Sequence, residues 1–491
     1  MSLTPSAPNP VRRASIANLG CKVNQAEMDA VERLLRARGV ELVDGREAAD
    51  LVVVNTCTVT ATADRKSRQA IRRARRSNHN GHVLVTGCSV SVDPGSLAAA
   101  EPAADLYDNE SKGRLLADLA KLLEPRGGAA APNLWGVDRA TGPRAGRAVE
   151  IGADEGSVED DFGDRAAIDR TRAFVKIQDG CSFHCTYCII PRARGPERSV
   201  APDTVLAAIR GALAEGHREI VLTGINAGTY DGGAGGGAGS GASGPAVELP
   251  ALVKRILAET TVERIRLSSI EPQHVTQELL DAWLGSRGRC LPHFHVPLQS
   301  GDDAILRRMG RRYDTGSYAD LVARIRQAMP GAAVHADLIA GFPGEDEDSW
   351  ERTTTFLRRL ELAGIHVFRY SVRPGTPAAR MVGQVDGAAK KRRAAEALAI
   401  AAEARAHFAI RQIGRELRVL FEQQLPDGRW LGHAESHVLV AAASPDGHPL
   451  HNAIGVVRAE SIDSADAGRI VGRLLAVDRA PAAPGGRLVA T

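Results

Sequence analysis

Three cysteines, Cys181, Cys185 and Cys188, lie close together in the stretch DGCSFHCTYCIIP. A [4Fe–4S] cluster has four irons, and a fully coordinated cluster binds four cysteine thiolates. Because no fourth cysteine is nearby in the sequence, a cluster on this C-x₃-C-x₂-C triplet would keep one iron open, as a catalytic zinc keeps one position free. The rest of the chain is therefore expected to fold around a loop that carries an open metal cluster.

A zinc-binding loop is the main alternative for this triplet. His184 lies inside the loop and would complete a four-ligand zinc site. Zinc motifs, however, usually combine a C-x₂-C pair with a second pair or with histidines farther along the chain. Chance spacing of unrelated cysteines is the remaining alternative. We favour the iron–sulfur interpretation.

Length and composition indicate a globular protein of several domains. The 491 residues exceed one ordinary domain, and about three domains are expected. The net charge of +3 does not indicate a nucleic-acid partner, which would need a local basic surface. The first residues lack the apolar core of a signal peptide, and no apolar run is long enough to cross a bilayer. We therefore expect a cytoplasmic protein with no membrane partner, whose seven cysteines are reduced and available to metals.

Residues 12–124 are predicted to form an amino-terminal α/β domain. Short apolar strands are predicted at 14–19, 51–54 and 82–87, and segments with the helical spacing of apolar residues follow them. Repeated strand–loop–helix units of this kind indicate an α/β fold with a doubly wound parallel sheet.

A second set of cysteines follows the three strands of this domain. Cys21, Cys57 and Cys88 each lie just beyond the carboxyl end of a predicted strand, and open α/β sheets bind ligands at that edge. A single buried cysteine is commonly inert. Three cysteines at equivalent positions instead predict a second cluster, again with one open iron.

The helix between Cys57 and Cys88 is strongly basic and has no acidic residue after Asp64. A charge run of this kind is usually a solvated helix face. Contact with RNA phosphates is the alternative, because dense uncompensated positive charge is what phosphate binding requires. The basic residues are Arg65, Lys66, Arg68, Arg72, Arg73, Arg75 and Arg76.

Residues 167–402 are predicted to form the catalytic domain, a partial (β/α)₆ barrel. Six strand-like segments alternate there with stretches long enough for helices, and the active site of a parallel barrel lies at the carboxyl ends of its strands. Two segments of biased composition are predicted to be flexible, a linker at 125–166 and a Gly-rich insertion at 232–245. Residues 408–480 contain short alternating segments between turns, which predict a small β-barrel.

The motifs together resemble a known family. The triplet, with Tyr187 just before its last cysteine, resembles the radical S-adenosylmethionine (SAM) enzymes. LGCKVNQAE, NTCTVTATADRKSRQ and TGCS around the amino-terminal cysteines, and IIPRARGPERS after the triplet, resemble the methylthiotransferases of that superfamily. The resemblance implies two [4Fe–4S] clusters, SAM as a cofactor, a central radical SAM barrel and a carboxyl-terminal TRAM module, which is a small RNA-binding β-barrel.

The resemblance also implies SAM-binding positions, although each could equally be a loop-capping or packing residue. These positions are Tyr187, Ile339 and Gly341 for the adenine, Thr223 and Gly224 for the methionine amino group, and Ser269, Glu271 and Gln299 for the methionine carboxylate or the ribose. No acid–base pair is needed by such chemistry, so no catalytic residue beyond the cluster ligands is expected.

Several other residues have less specific predictions. Cys290 is expected to be a small hydrophobic core residue. Arg194 and Arg198 could contact a nucleotide or its phosphates, or could be ion-paired within the fold. The basic stretches at 305–315 and 390–393 are expected to be solvated helix faces.

Three acceptors are known for the family: threonylcarbamoyladenosine in tRNA, isopentenyladenosine in tRNA, and an aspartate of a ribosomal protein. GCKVNQ, ADRKSRQ and IIPRARG are most similar to the enzymes of the first group, which insert sulfur at C2 of the adenosine next to the anticodon and methylate it. The expected partners are then the anticodon stem-loop of tRNA and an electron donor, and we expect a monomer. The alternatives of other classes are a radical SAM enzyme of a different reaction and an iron–sulfur RNA-binding protein without methylthiolation activity.

Overall fold

The computed structural model describes residues 11–45, 47–78, 81–123, 171–233 and 246–478. The predicted linker at 125–166 and residues 234–245 of the predicted insertion lie outside the described residues. Within the described part, no helix is both long and apolar enough to cross a membrane.

The amino-terminal domain is built on a five-stranded parallel sheet. Its elements are β1 (Arg13–Asn18), α1 (Lys22–Ala37), β2 (Glu41–Leu42), β3 (Leu51–Thr56), α2 (Ala61–Ser77), β4 (His82–Gly87), α3 (Cys88–Val92), α4 (Pro94–Ala100), β5 (Asp105–Tyr107) and α5 (Lys112–Leu122). The strand order is β2-β1-β3-β4-β5, and all pairs are parallel. Leu51 and Val53 of β3 pack on one side with Val31 and Leu119, whereas Val52 packs on the other side with residues of α2. The predicted doubly wound fold is confirmed.

The strand order of this sheet reverses between β1 and β3, and open α/β sheets bind ligands at such a point. Cys21 follows β1 and Cys57 follows β3 directly, so these two cysteines flank the reversal. Cys88 is the first residue of α3, immediately after β4. All three cysteines therefore lie at the carboxyl edge of the sheet, as predicted.

The central domain contains six parallel strands separated by helices, and a short antiparallel pair of strands. Its elements are β6 (Arg172–Lys176), β7 (Gln178–Asp179), α6 (Ile190–Arg194), β8 (Arg198–Ser199), α7 (Pro202–Ala214), β9 (Glu219–Thr223), α8 (Leu249–Glu259), β10 (Arg264–Leu267), α9 (Gln277–Leu284), β11 (His293–His295), α10 (Asp303–Met309), α11 (Thr315–Ala328), β12 (Ala333–Ala340), α12 (Glu347–Leu360) and β13 (Gly364–Arg369). The sheets β10-β9-β6 and β11-β12-β13 are joined by bridges between Ile265 and Cys290 and between Ser269 and His295. This is the predicted partial barrel.

The two faces of the barrel strands differ in character. Ile220, Leu222 and Phe294 belong to the apolar core that the strands share with the surrounding helices. Because side chains alternate along a strand, Glu219 and His293 point to the opposite side, into the barrel. Both polar residues are buried, so the barrel interior is polar.

The amino-terminal domain covers the open side of the partial barrel, between β6 and β13. Helix α1 packs on β6. Arg373, beyond β13, pairs with Asp64 of α2 at 2.5 Å and donates to the hydroxyl of Thr58 at 2.7 Å. The backbone N–H of Ala61 donates to the Ser371 hydroxyl at 3.0 Å. These contacts fix the cysteine edge of the amino-terminal sheet against the barrel.

The carboxyl-terminal domain is a closed five-stranded barrel behind a long helix. Its elements are α13 (Gly387–Ile410), β14 (Glu416–Gln424), β15 (Trp430–Ala434), β16 (Leu439–Ala442), β17 (Ile454–Asp463) and β18 (Asp466–Asp478). The strands close in the order β14-β15-β16-β18-β17 around an apolar core that includes Val419, Phe421 and Ile470. The predicted small barrel is therefore present.

The small barrel docks on the amino end of the central barrel. The guanidinium groups of Arg264 and Arg266 pair with Glu219 at 2.8 and 2.9 Å, and all three side chains are buried. Arg264 also donates to the carbonyl oxygens of Arg418 and His433 at 3.1 and 3.2 Å. The same buried ion-pair network therefore stabilises the central barrel and its contact with the carboxyl-terminal domain.

His437, in the turn between β15 and β16, extends this interface. Its ring centroid lies 4.7 Å from that of His293, 5.9 Å from that of His335 and 4.5 Å from that of His433. Burial, and then the charge that His433 and Arg266 contribute, holds the pKa of His437 well below its ordinary value. The imidazole is therefore neutral in the folded protein at physiological pH.

We expect the His437→Asn variant to lose less stability than the wild type when the pH is lowered. The unfolded chain binds a proton at this position below about pH 6.5 and the folded chain does not, so the wild type loses stability as the pH falls below that value. Asparagine cannot titrate, and it tolerates the positive φ of 67° at this position. Urea unfolding between about pH 7.5 and 5.5 gives the free energy of unfolding at each pH. The change of this free energy with pH should be smaller in the variant than in the wild type, by up to about 1.4 kcal/mol per pH unit.

His448→Asn is the matched control, because His448 is an exposed histidine of the same domain. Its pH slope should equal that of the wild type. An unchanged slope in His437→Asn would contradict the neutral buried state of His437.

Candidate functional site

The cysteine triplet lies in a loop closed by the antiparallel pair β7–β8. The backbone N–H of Cys181 donates to the carbonyl oxygen of Gly195, and that of Cys188 to Cys185, both at 3.0 Å. Gly180 has a φ of +72°, and a Cβ there would collide with the carbonyl of Pro196. Only glycine allows the chain to turn this tightly before the first cysteine.

The structure directs N–H donors at the sulfur atoms of these loops. The backbone N–H of Phe183 donates to Cys181 Sγ at 3.4 Å, and Arg311 Nη1 donates to Cys185 Sγ at 3.2 Å. In the amino-terminal domain, the side-chain amide of Asn109 donates to Cys88 Sγ at 3.7 Å. Hydrogen bonds to the sulfurs are one means by which proteins tune iron–sulfur clusters, so these surroundings suit thiolate ligands.

Burial raises the pKa of thiols in both triads. Burial, and then the neighbouring Cys88 thiol, raises the pKa of Cys57 to about 12. Burial also raises the pKa of Cys188 to about 12, and the Cys185 thiol adds to the effect. Without a metal these groups would be neutral thiols at pH 7. Binding of a metal would require these thiols to lose their protons, and a bound cation favours that loss.

A network of hydrogen bonds joins the loops of the amino-terminal cysteines. The side-chain amide of Asn24 donates to Asn55 Oδ1 and to the carbonyl oxygen of Thr56, both at 3.1 Å. The side chain of Asn55 returns a hydrogen bond to the carbonyl oxygen of Asn24 at 3.0 Å. The hydroxyl of Ser89 donates to the carbonyl oxygen of Cys57 at 2.7 Å. The three strand ends thus form one connected edge.

The helices that follow Cys188 and begin at Cys88 pack together at the interface between the amino-terminal domain and the barrel. Helix α6 begins two residues after Cys188, and it packs against α3, which begins with Cys88. Asn109 donates to the carbonyl oxygen of Ala193 in α6 at 2.6 Å as well as to Cys88 Sγ. The Asn109 side chain therefore links Cys88 to α6, the helix that follows the triplet.

Arg194 is at the centre of this interface and is fully buried. Its guanidinium pairs with Glu27 at 3.1 Å and with Asp179 at 2.8 Å. Lys112 and Lys176 also pair with Glu27. Of the two alternatives for Arg194, ion pairing within the fold is the one observed.

Several of the predicted SAM-binding residues lie together. The ring of Tyr187 meets that of Phe342 edge-on with centroids 6.4 Å apart, and Phe342 directly follows Gly341. Ile339 belongs to the same apolar cluster as Phe342, and Tyr187 packs against it. The three residues predicted to contact adenine are therefore neighbours.

Gln299, Glu271 and Ser269 border the same region. The carbonyl oxygen of Gln299 accepts the backbone N–H of Ile339 at 3.0 Å. Glu271 pairs with Arg311, which also donates to the Tyr187 hydroxyl at 3.3 Å. The Ser269 hydroxyl lies 3.3 Å from Nδ1 of His295.

Thr223 and Gly224 lie at the end of β9, next to the side chain of Gln178. A Cβ on Gly224 would lie 2.9 Å from Gln178 Oε1, so the backbone approaches this side chain closely. The hydroxyl of Thr223 is buried and has no hydrogen-bond partner among the described residues. An unsatisfied buried hydroxyl at a strand end suits a ligand that brings a polar group.

Arg311 was not among the predicted site residues. The stretch at 305–315 was expected to be a solvated helix face, and this interpretation is wrong for Arg311, whose side chain is 3% exposed. It is also wrong within 390–393, because Arg393 is buried against Glu345 at 3.0 Å. Gly310 ends α10 with a φ of +75°, so Arg311 lies beyond the helix. The glycine at 310 could have indicated this helix end, but it does not indicate the contacts of Arg311.

Comparison with known proteins assigns both large domains. Residues 13–107 match the Uncharacterized protein family UPF0004, and residues 175–357 match the Radical SAM superfamily. The chain is 35% identical to the threonylcarbamoyladenosine tRNA methylthiotransferase MtaB of Bacillus subtilis, over 86% of this chain and 88% of that one. It is 32% identical to the tRNA-2-methylthio-N(6)-dimethylallyladenosine synthase of Maricaulis maris, over 92% of this chain and 95% of that one.

A solved structure shares the fold. It is the radical S-adenosylmethionine methyltransferase TsrM from Kitasatospora setae, with cobalamin and a [4Fe–4S] cluster bound. The TM-score is 0.51, with coverage of 75% of this chain and 77% of that chain. The sequence identity is 17%, so the likeness concerns the fold alone.

Proposed function

This chain belongs to the radical SAM methylthiotransferases of tRNA, and from that premise we propose that its acceptor is N6-threonylcarbamoyladenosine next to the anticodon. The reaction inserts sulfur at C2 of the adenine and methylates it, giving 2-methylthio-N6-threonylcarbamoyladenosine. The observation that supports this acceptor is the 35% identity to the threonylcarbamoyladenosine enzyme of Bacillus subtilis over 86% of this chain. The packing of α6, which follows the triplet, against α3, which begins with Cys88, agrees with a reaction between the two cysteine sets. Dimethylallyladenosine, the nucleoside in the name of the Maricaulis relative, is the second candidate acceptor.

The cofactors are assigned to the two triads. SAM and one [4Fe–4S] cluster follow from the radical SAM domain, and Cys181, Cys185 and Cys188 would hold that cluster. We propose that the amino-terminal triad holds a second cluster. When bound, the first cluster supplies the electron that cleaves SAM, and the second supplies the sulfur. The protein in turn contributes ligands, orientation and a site closed between two domains.

Arg311 is proposed to position SAM together with Glu271 and Tyr187. Its guanidinium is buried and donates to both of these side chains and to Cys185 Sγ. It therefore fixes the predicted adenine-binding ring relative to the first cluster. Arg311 is the only ion-pair partner of the Glu271 carboxylate among the described residues.

Arg311→Gln should weaken SAM binding by about tenfold or more, because removing a buried charged hydrogen bond costs about 1.5–3 kcal/mol. Isothermal titration of SAM into the anaerobically reconstituted protein measures this. Arg312→Gln is the matched control, since Arg312 is exposed and lies over the ring of Phe183 at 4.4 Å. Equal affinities of the two variants would contradict the role of Arg311.

The remaining partners are part of the same proposal. Arg72, Arg73 and Arg76 are exposed on α2, beyond Cys57, and would contact tRNA phosphates. The carboxyl-terminal barrel has the size and closure expected of a TRAM module, and we propose that it also binds the tRNA. Reductive cleavage of SAM requires an electron donor, and a monomer remains our expectation.

A reconstituted assay with defined RNA tests the acceptor. Anticodon stem-loops carrying threonylcarbamoyladenosine, dimethylallyladenosine or unmodified adenosine are incubated with the protein, SAM and a reductant, then digested and analysed by mass spectrometry. We expect a methylthio product from the first RNA only. Product from the second RNA alone would favour the second candidate, and no product from any of them would contradict a methylthiotransferase.

A further inference from the structure

A cluster of two histidines and one aspartate lies inside the central barrel, away from the cysteines. Oδ1 of Asp337 lies 2.7 Å from Nε2 of His295 and 3.1 Å from Nδ1 of His366. One ligand atom from each of the three residues lies within 4.8 Å of the others. The three side chains thus converge on one point.

Three adjacent strands deliver these residues to the same level of the barrel. Asp337 of β12 is directly paired in register with His366 of β13, and His295 is the last residue of β11, which pairs with β12. Asp337 precedes Ile339 by two residues, so the cluster lies about 7 Å deeper than the predicted adenine contact. The cluster therefore lies inside the barrel, farther from the carboxyl ends of the strands than Ile339.

We propose that His295, Asp337 and His366 bind one divalent transition-metal ion of the Zn²⁺ or Fe²⁺ class. Two imidazoles and one carboxylate form a ligand set that such ions prefer over Mg²⁺ and Ca²⁺. Three protein ligands leave at least one coordination position open, as in catalytic rather than structural metal sites. The side chains of Asp337 and His366 are 17% and 32% exposed, so the three-residue cluster is accessible to solvent.

The surroundings of the cluster support a cation. Among the described residues, the carboxylate of Asp337 has hydrogen bonds with the two imidazoles and none with a lysine or an arginine. A divalent ion bound between the three side chains would therefore add positive charge directly beside this carboxylate. The other ring nitrogen of His295 lies 3.3 Å from the Ser269 hydroxyl, which is the outer contact that orients a metal-bound histidine.

The open position suggests what the ion does, and this step rests on the proposed function. Threonylcarbamoyladenosine carries a carboxylate and a carbamoyl oxygen, both of which are ligands for such an ion. The dimethylallyl chain of the second candidate carries no ligand atom. A metal held by His295, Asp337 and His366 would therefore bind the side chain of the acceptor and favour threonylcarbamoyladenosine.

Metal uptake by the complete, anaerobically reconstituted protein tests the site without reference to activity. After equilibrium dialysis against Zn²⁺ with Mg²⁺ in excess, elemental analysis gives zinc and iron in the same sample. The wild type should hold about one zinc per chain more than Asp337→Asn. Ser269→Ala should keep the site but weaken its zinc affinity by about tenfold.

His448→Asn is the matched control, because His448 pairs with Asp446 at 3.3 Å on the surface, with 66% of its side chain exposed. It should bind as much zinc as the wild type. His366→Gln provides a second site variant should Asp337→Asn fail to retain its iron. Equal zinc uptake by the wild type and by a folded site variant would overturn the proposal.

The acceptor step has its own readout. Zn²⁺ should tighten binding of the threonylcarbamoyladenosine stem-loop about tenfold or more in the wild type, and not in Asp337→Asn. If the wild type takes up zinc but binds the stem-loop no more tightly with Zn²⁺, the proposed role in substrate binding is wrong, whereas the metal site itself is supported. Neither result depends on methylthio product, so failure here is distinct from failure of the proposed function.

Discussion

Alanine at Cys21, Cys57 and Cys88 together should abolish methylthiolation of tRNA and leave the reductive cleavage of SAM intact. The amino-terminal triad belongs to a separate sheet, and the triplet that would hold the SAM cluster keeps all its ligands. Iron content should fall from about eight to about four per chain. Mass spectrometry of tRNA nucleosides and chromatography of 5′-deoxyadenosine measure the two activities in one reaction.

Cys290→Ala is the matched control, because Cys290 is a buried cysteine in the core of the barrel domain and belongs to neither triad. It should keep about eight irons and both activities. Methylthiolation by the triple variant would show that the amino-terminal cysteines do not hold the sulfur source.

Arg194→Met should separate the amino-terminal domain from the barrel. Burial alone would raise the pKa of Glu27. The neighbouring cations Lys112, Arg194 and Lys176 outweigh this effect and lower the pKa to about 2. Removing the arginine leaves the buried carboxylates of Glu27 and Asp179 short of a partner, which costs about 3–5 kcal/mol for a buried ion pair. We expect a lower melting temperature and faster proteolysis between the domains.

Arg194→Met should reduce the rate of methylthiolation more than the rate of SAM cleavage, because only methylthiolation needs both cysteine triads held in fixed relative positions. Arg198→Met is its control, since Arg198 lies 3.9 Å from Asp179 and is partly exposed. A partly exposed pair of this kind contributes about 1 kcal/mol or less. Equal stability of the two variants would contradict the structural role of Arg194.

The sequence predicted the main elements because their signals are local. The run LVVV is apolar on both faces and marks a buried parallel strand, observed as β3. The shortest elements were missed, including the two-residue strands β2, β7 and β8. Strands of this length form through pairing partners that are distant in sequence, and no periodicity can reveal them.

The two cysteine triads could be predicted for a similar reason, since cysteine spacing and strand ends are visible in the sequence. Arg311 could not, because its role depends on a fold that brings it to Cys185 and Glu271. His295 and Asp337 are likewise far apart in sequence. The sequence signal for His295 and Asp337 was the polar residues at alternate positions of apolar strands, a pattern that indicates a polar barrel interior.

Nucleoside mass spectrometry of tRNA from a strain lacking this gene tests the central claim most directly. We predict that 2-methylthio-N6-threonylcarbamoyladenosine disappears and that N6-threonylcarbamoyladenosine accumulates. Restoring the wild-type gene should return the methylthio nucleoside, and restoring the variant without the amino-terminal cysteines should not. An unchanged level of 2-methylthio-N6-threonylcarbamoyladenosine in the deletion strain would contradict the proposed function.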